Sequence, residues 1–184
     1  MIIITGGAGF IGSNLARHLE AKEEIYISDW VYNKERNISA ALKKNVLNPE
    51  SLSDFLYFNL SKIKIIIHFG AITSTTETNV KKIIKNNLEL SKFLWDWSTK
   101  NKIRFIYASS AATYGNGAHG FKDLDSLMYL NKLKPLNLYG WSKHLFDHYV
   151  LSNYKNKCPP QWVGLKFFNV YGPYEFHKGE MRSI

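Results

Sequence analysis

Residues 1–14 read Met1-Ile2-Ile3-Ile4-Thr5-Gly6-Gly7-Ala8-Gly9-Phe10-Ile11-Gly12-Ser13-Asn14. Met1 to Thr5 is a short apolar, β-branched run, the pattern of a strand buried on both faces. It runs straight into Gly7-x-Gly9-x-x-Gly12, with Gly6, Gly9 and Gly12 also at three-residue spacing. In such a turn one glycine makes the tight strand-to-helix reversal. A second lets a diphosphate approach the backbone, and a third lets helix and strand pack closely. A diphosphate held there meets the free N–H groups and the positive dipole end of the helix that opens at Phe10. Asp29 lies 20 residues beyond Gly9, at the end of the next strand pattern, where a carboxylate can accept from a ribose 2′-hydroxyl. Asp29 favours NAD. Lys34 or Arg36 just downstream could meet a 2′-phosphate and favour NADP, and the sequence leaves both open.

Outward from this turn, strand and helix patterns alternate. Phe10 to Lys22 is expected as a helix and Glu24 to Asp29 as a strand. Residues 34–44 are weakly helical, Asn45 to Leu47 a short strand, and Pro49 to Leu60 a helix with proline near its start. Lys64 to Phe69 is a buried strand, Val80 to Asn101 one long helix, and Ile103 to Ser109 a strand. Residues 115–137 read as loop. Leu138 to Tyr154 is a helix, Trp162 to Phe168 a strand, and Asn169 to Ile184 shows no period. Strands separated by helices imply an α/β fold with a doubly wound parallel sheet and right-handed crossovers.

The 184 residues are enough for about one domain. With 45% hydrophobic and 21% charged residues the chain is globular rather than disordered. No apolar run approaches the roughly 18 residues of a membrane helix, and the first residues lack a secretory signal, so a cytoplasmic protein without membrane partners is expected. One cysteine, Cys158, excludes a disulfide framework and a cysteine metal cluster. The net charge of +9 comes from scattered lysines, with Arg17, Arg36, Arg104 and Arg182 the only arginines. It reads as a solvated surface rather than a nucleic-acid footprint. His68 ends a hydrophobic strand and reads as a packed core residue. No histidine has metal-ligand spacing, so no metal is expected, and Trp95, Trp97, Tyr149 and Tyr154 read as helix packing.

Tyr139 and Lys143 stand four apart on a predicted helix and share a face. A nearby ammonium stabilises a phenolate, and a phenol so tuned can exchange a proton with a substrate hydroxyl during hydride transfer. The pair gains weight from Tyr107-Ala108-Ser109-Ser110-Ala111-Ala112-Thr113-Tyr114-Gly115, which starts on a strand and ends in a loop. There Ser109 or Ser110 could bond the reacting oxygen.

These words resemble the extended short-chain dehydrogenase/reductase (NAD-dependent epimerase/dehydratase) family. STTE (74–77) and FFNVYGPYEFHKG (167–179), with PLNLYGWSKHLFD (135–147), resemble its ADP-L-glycero-D-manno-heptose 6-epimerases. The resemblance implies a Rossmann-type dinucleotide-binding domain over 1–184, with 169–184 a remnant of the substrate-side segment. It implies redox inversion at C6″ of ADP-heptose through NADP, or NAD, in synthesis of a lipopolysaccharide core precursor. Tyr139 would be one acid/base and Lys178 a second on the opposite face. Ser110 would bond the sugar oxygen, and Lys143 would hold the ribose and tune Tyr139. Gly6, Gly9, Phe10, Ile11 and Gly12 would form the diphosphate turn, and Asp29 and Trp30 would flank the adenosine ribose. Phe69, Gly70, Ala71, Ile72, Thr73 and Asn86 would run along the cofactor. Asn169 would touch substrate and Val170 the nicotinamide.

The sequence also departs from the family. Members run on for more than a hundred residues past the equivalent of Ile184, so a missing C-terminal substrate lobe, a severe loss of activity and association into a homo-oligomer through an exposed sheet edge are expected. Glu180 replaces a small polar residue, Trp30 a polar one, residues 34–48 do not match the family's cofactor lysines, and the loop 116–134 is longer. Two rival readings stand: an inactive remnant that at most binds a dinucleotide, and another nucleotide-sugar epimerase or reductase. A dehydratase would want an acidic residue beside the serine, and Ala111-Ala112 offers none.

Overall fold

A computed structural model of the chain describes residues 1–175. They fall into two compact units: Met1–Gly70 with the segment from Asn169 onward, and Ala71–Phe168.

The first unit is built on four parallel strands, β1 (Ile2–Thr5), β2 (Ile25–Ser28), β3 (Val46–Leu47) and β4 (Ile65–His68). Strand β1 is central, with Ile2 opposite both Ile25 and Ile65 and Thr5 opposite both Ser28 and His68. Its four residues are all buried, as expected of a strand covered on both faces. The lateral order β3-β2-β1-β4 is the one with which a Rossmann-type doubly wound sheet begins. Helix α1 (Phe10–Leu19) buries Phe10, Gly12, Ser13 and Ala16, and carries Arg17 and His18 in its last turn, where the dipole favours cations.

Three helix expectations change here. Helix α1 stops at Leu19 rather than Lys22, because the Leu19 carbonyl accepts from the Lys22 and Glu23 amides and the exposed Ala21 and Lys22 have nothing to bury. Residues 34–44 hold only 3-10 turns at Glu35–Asn37 and Lys43–Asn45. The buried Asn37 draws the first of these inward by donating to the Ala8 carbonyl at 2.9 Å. The helix expected over 49–60 is a 3-10 turn (Pro49–Ser51), then α2 (Leu52–Phe58), then a 3-10 turn (Leu60–Lys62). Only Leu52 and Leu56 of α2 are buried, so its apolar stripe is short.

In the second unit, α3 (Val80–Ile83) continues through a π turn (Ile84–Glu89) into α4 (Leu90–Asn101). Strand β5 (Arg104–Ser110) pairs in parallel with β6 (Trp162–Phe167), from Phe105 opposite Trp162 to Ser110 opposite Phe167. Helix α6 (Leu138–Asn153) starts on Asn137, whose side chain accepts from the Gly140 amide. The core is aromatic. Trp95 of α4 is fully buried, with the rings of Phe105, Phe146 and Trp162 at 6.0, 6.5 and 5.2 Å, all edge-on. The stretch read as loop contains a further short helix, α5 (Leu127–Leu130). It forms because Tyr129, Leu130 and Leu133 make an apolar cluster with Tyr114. Among the described residues no helix is long and apolar enough to cross a membrane, and no His, Cys, Asp and Glu group could hold a metal ion.

Candidate active site

The glycine turn of the first unit is set by close approaches. Gly6 has φ of +68°, a conformation side chains resist, and a Cβ there would stand 2.6 Å from the Gly70 amide nitrogen. A Cβ on Gly12 would drive into the Gly6 carbonyl oxygen and lie 2.7 Å from Gly7 Cα. This is the position where helix and turn pack without a side chain between them. Gly9 is different. A Cβ there meets only the Gly6 carbonyl, at 3.2 Å, and otherwise open space. Gly9 is also the N-cap of α1 and brings no side chain to cap it, so the helix start is presented as bare backbone.

Asp29 is buried at the end of β2 and tied at both oxygens. Its Oδ2 accepts from the Ala8 amide at 3.0 Å and its Oδ1 from the Lys34 ammonium at 2.8 Å. The carboxylate thus braces the turn and holds a lysine beside the place read as the ribose site. Trp30 is 53% exposed, and Arg36 is exposed on its 3-10 turn. Thr5 Oγ1 bonds His68 Nδ1 at 2.6 Å and accepts from the Gly70 amide at 3.1 Å, while the Phe69 amide donates to the Thr5 carbonyl. His68 is therefore buried and engaged between strands, in keeping with a core residue. Asn169 is exposed and Val170 half-buried. Beyond them, Asn14 donates to the Pro173 carbonyl and Arg17 lies over the Tyr174 ring, 4.5 Å from its centroid.

In the second unit, the end of β5 and the face of α6 meet. Alternation along the strand sends Ser109 and Ser110 to opposite sides. The Ser109 hydroxyl donates to Asp147 at 2.6 Å, whereas the Ser110 hydroxyl bonds the Tyr139 phenol and accepts from the Ala112 amide at 3.1 Å. Helix α6 comes this close because Gly140 has no side chain: a Cβ there would lie 2.8 Å from the Ala112 carbonyl.

Tyr139, Lys143 and Asp147 follow one another at four-residue spacing on α6. Lys143 is buried, and its Nζ donates to the Ala108 carbonyl at 2.8 Å. Burial lowers its pKa from 10.5 to about 8, against an opposing pull from Asp147. Tyr139 does not carry the lowered pKa that the Tyr–Lys spacing suggested. Burial raises it, and the hydrogen bond from Ser110 is what pulls it back down. The Lys143 ammonium donates instead to a backbone oxygen on β5.

The structure also supplies residues the sequence reading passed over. Asp147 accepts from Ser109, from the Tyr107 phenol at 3.2 Å and from the Lys166 ammonium. Its spacing from Lys143 was visible, but its partners on β5 and β6 were not. Asn86, expected along the cofactor, is half-exposed and donates back to the Lys82 carbonyl. Its neighbour Asn87 is buried instead. The Asn87 side chain accepts from the Ile72 amide at 2.8 Å and donates to the Ile72 carbonyl at 3.0 Å and to Ser142 at 2.9 Å. The π turn at Ile84–Glu89 inserts the extra residue that rotates Asn87 inward, which a 3.6-residue period does not reveal. Ile72 is thereby pinned, Ala71 is half-buried and Thr73 exposed. Lys178 and Glu180, in the tail, lie outside the described residues.

Residues 2–184 match the NAD dependent epimerase/dehydratase family. The chain is 44% identical over its whole length to the ADP-L-glycero-D-manno-heptose-6-epimerase of Fusobacterium nucleatum, covering 57% of that protein. To the enzyme of the same name from Brachyspira hyodysenteriae it is 42% identical, again over the whole chain and 59% of the relative. The crystal structure of the Helicobacter pylori ADP-L-glycero-D-manno-heptose-6-epimerase matches 99% of this chain and 59% of its own, at 32% identity and a TM-score of 0.73. The chain therefore spans a little under three fifths of the length of these relatives. With the glycine turn, the strand order of the first unit and this likeness over its whole length, the chain belongs to the NAD dependent epimerase/dehydratase family and has its Rossmann-type α/β fold.

Proposed function

We propose that this chain is the cofactor-binding part of an ADP-L-glycero-D-manno-heptose 6-epimerase that uses NADP. The observation that carries the reading is the close packing of the β5 end, which bears Ser110, against the α6 face that bears Tyr139 and Lys143, in a chain 44% identical to an enzyme of that name. The residues present fit a dinucleotide: the open side of Gly9, with the uncapped start of α1, is a cradle that any side chain would fill. Lys34, held 2.8 Å from Asp29, favours a ribose bearing a 2′-phosphate over the plain diol.

A bound nicotinamide dinucleotide would supply the hydride acceptor and, in the return step, the donor. Gly6 to Gly12 and Asp29 would hold its diphosphate and ribose ends. Ser110 orients the reacting sugar oxygen. Tyr139 takes the hydroxyl proton as the carbon is oxidised and returns a proton as it is reduced. Lys143, donating to the Ala108 carbonyl, fixes α6 on β5 and offers its remaining protons to the nicotinamide ribose. Lys178 is proposed as the proton-transfer group for the opposite face, from its place in the segment FFNVYGPYEFHKG.

Titration with NADP, followed by tryptophan fluorescence, tests the cofactor, and conversion of ADP-heptose tests the chemistry. Binding with a fluorescence change is expected, and Tyr139→Phe should cost about 10²- to 10⁴-fold in turnover. No NADP binding, or turnover that survives Tyr139→Phe, refutes the proposal.

A further inference from the structure

Ser110 is held by more than its bond to Tyr139. On one side, its neighbour Ser109 donates to the Asp147 carboxylate at 2.6 Å. On the other, the Ser110 carbonyl accepts from Thr113 Oγ1 at 2.8 Å, and Thr113 Oγ1 accepts from Lys166 Nζ at 2.9 Å. Lys166, on β6, closes the circuit through its ion pair with Asp147. The directions are not arbitrary. An ammonium only donates and a carboxylate or carbonyl only accepts, so the Thr113 hydroxyl must take from Lys166 and give to Ser110. Asp147 is 4% exposed and Thr113 fully buried, so each of these bonds has little competition from water. The Lys166 ammonium also sits over the Tyr114 ring, 5.3 Å from its centroid, a further attraction that holds the charge there.

We propose that Asp147 and Lys166 are positioning residues for Ser110: the pair clamps the backbone on both sides of the serine, so that its hydroxyl meets the Tyr139 phenol. The proposal rests on the reading of Ser110 and Tyr139 as the proton-handling pair. Neither Asp147 nor Lys166 bonds the Tyr139 phenol. Their effect passes through the β5 end, the Thr113 hydroxyl and the turn Ala111–Tyr114.

The test uses the whole chain and two readouts that need no turnover: exchange of the Ala112 amide, which donates to Ser110 Oγ, and titration of the Tyr139 phenol followed by its ¹³Cζ resonance. Lys166→Met should raise Ala112 exchange about tenfold relative to amides within α6. It should also move the Tyr139 titration upward by about one pH unit, the direction expected of Ser110→Ala, since a loosened Ser110 hydroxyl no longer holds the hydrogen bond that favours the phenolate. Lys166→Arg should restore both. Thr113→Val, which leaves the ion pair intact, should reproduce the effect and serves if Lys166→Met does not fold. If the variants lower Tm but leave the Ala112 exchange ratio and the Tyr139 titration unchanged, the pair serves only the fold and the proposal is overturned. If Ser110→Ala itself leaves the Tyr139 titration in place, the coupling of serine and phenol fails, and with it the underlying functional reading rather than the clamp alone.

Discussion

Replacing Lys143 with methionine removes a buried ammonium and keeps a side chain of similar length, so the packing of α6 against β5 changes little. In the fold, burial brings the lysine from 10.5 to about 8. The unfolded chain holds its proton up to about pH 10.4. Below pH 8 both states are charged, and the fold carries the whole penalty of the desolvated ammonium. Between pH 8 and 10.5 the folded protein has lost the proton while the unfolded chain still binds it, so stability rises with pH across that window. The displacement corresponds to about 3 kcal/mol as an upper figure. Loss of the bond to the Ala108 carbonyl in Lys143→Met is independent of pH and cancels when the pH profiles are compared. The stability of the parent relative to the variant should therefore climb by up to about 3 kcal/mol from pH 7 to 10.5. For a chain of this size that is roughly 6 to 12 °C in Tm. Urea unfolding of both proteins at half-unit pH steps measures it, with the tyrosines and other lysines common to both. A difference that stays flat with pH would show that Asp147 keeps Lys143 charged in the fold and that burial is not the stronger influence.

Three further outcomes follow from the first unit. Gly12→Ala should destabilise by about 1–3 kcal/mol, because the clash with the Gly6 carbonyl outweighs the roughly 1 kcal/mol helix-propensity gain. Gly9→Ala should keep its Tm and lose NADP binding; thermal shift and fluorescence titration separate the two, and an equally stable Gly12→Ala refutes the packing argument. Lys34→Met should weaken NADP about tenfold and leave NAD within a factor of two, since only the phosphate-bearing ribose uses the ammonium; equal losses for both would place Lys34 in the turn's structure instead.

How far the fold and site could be read in advance depended on the range of the interaction. Met1 to Gly12 declares strand, turn and helix through residue types alone, since a buried parallel strand needs β-branched apolar residues and the turn needs glycines. The spacing of Asn137, Tyr139 and Lys143 likewise declares a capped helix with a functional face, because i to i+4 neighbours meet in any helix. These are local rules, and they located all six strands of the described residues to within a residue at either end, and the resemblance on which the proposed role rests.

What folding alone settled were the long-range partners. Periodicity points to Asn86 or Asn87 equally, and only the π turn with its bonds to Ile72 turns Asn87 inward. Spacing pairs Lys143 with Tyr139, yet burial and the Ala108 carbonyl claim the ammonium, and Ser110 rather than Lys143 lowers the phenol. Asp147 and Lys166 are 19 residues apart and belong to different elements, so nothing in either local pattern joins them. A charge or hydroxyl takes its pKa and its partner from whatever the fold brings beside it and from how much water is shut out, and neither quantity is written in the neighbouring residues.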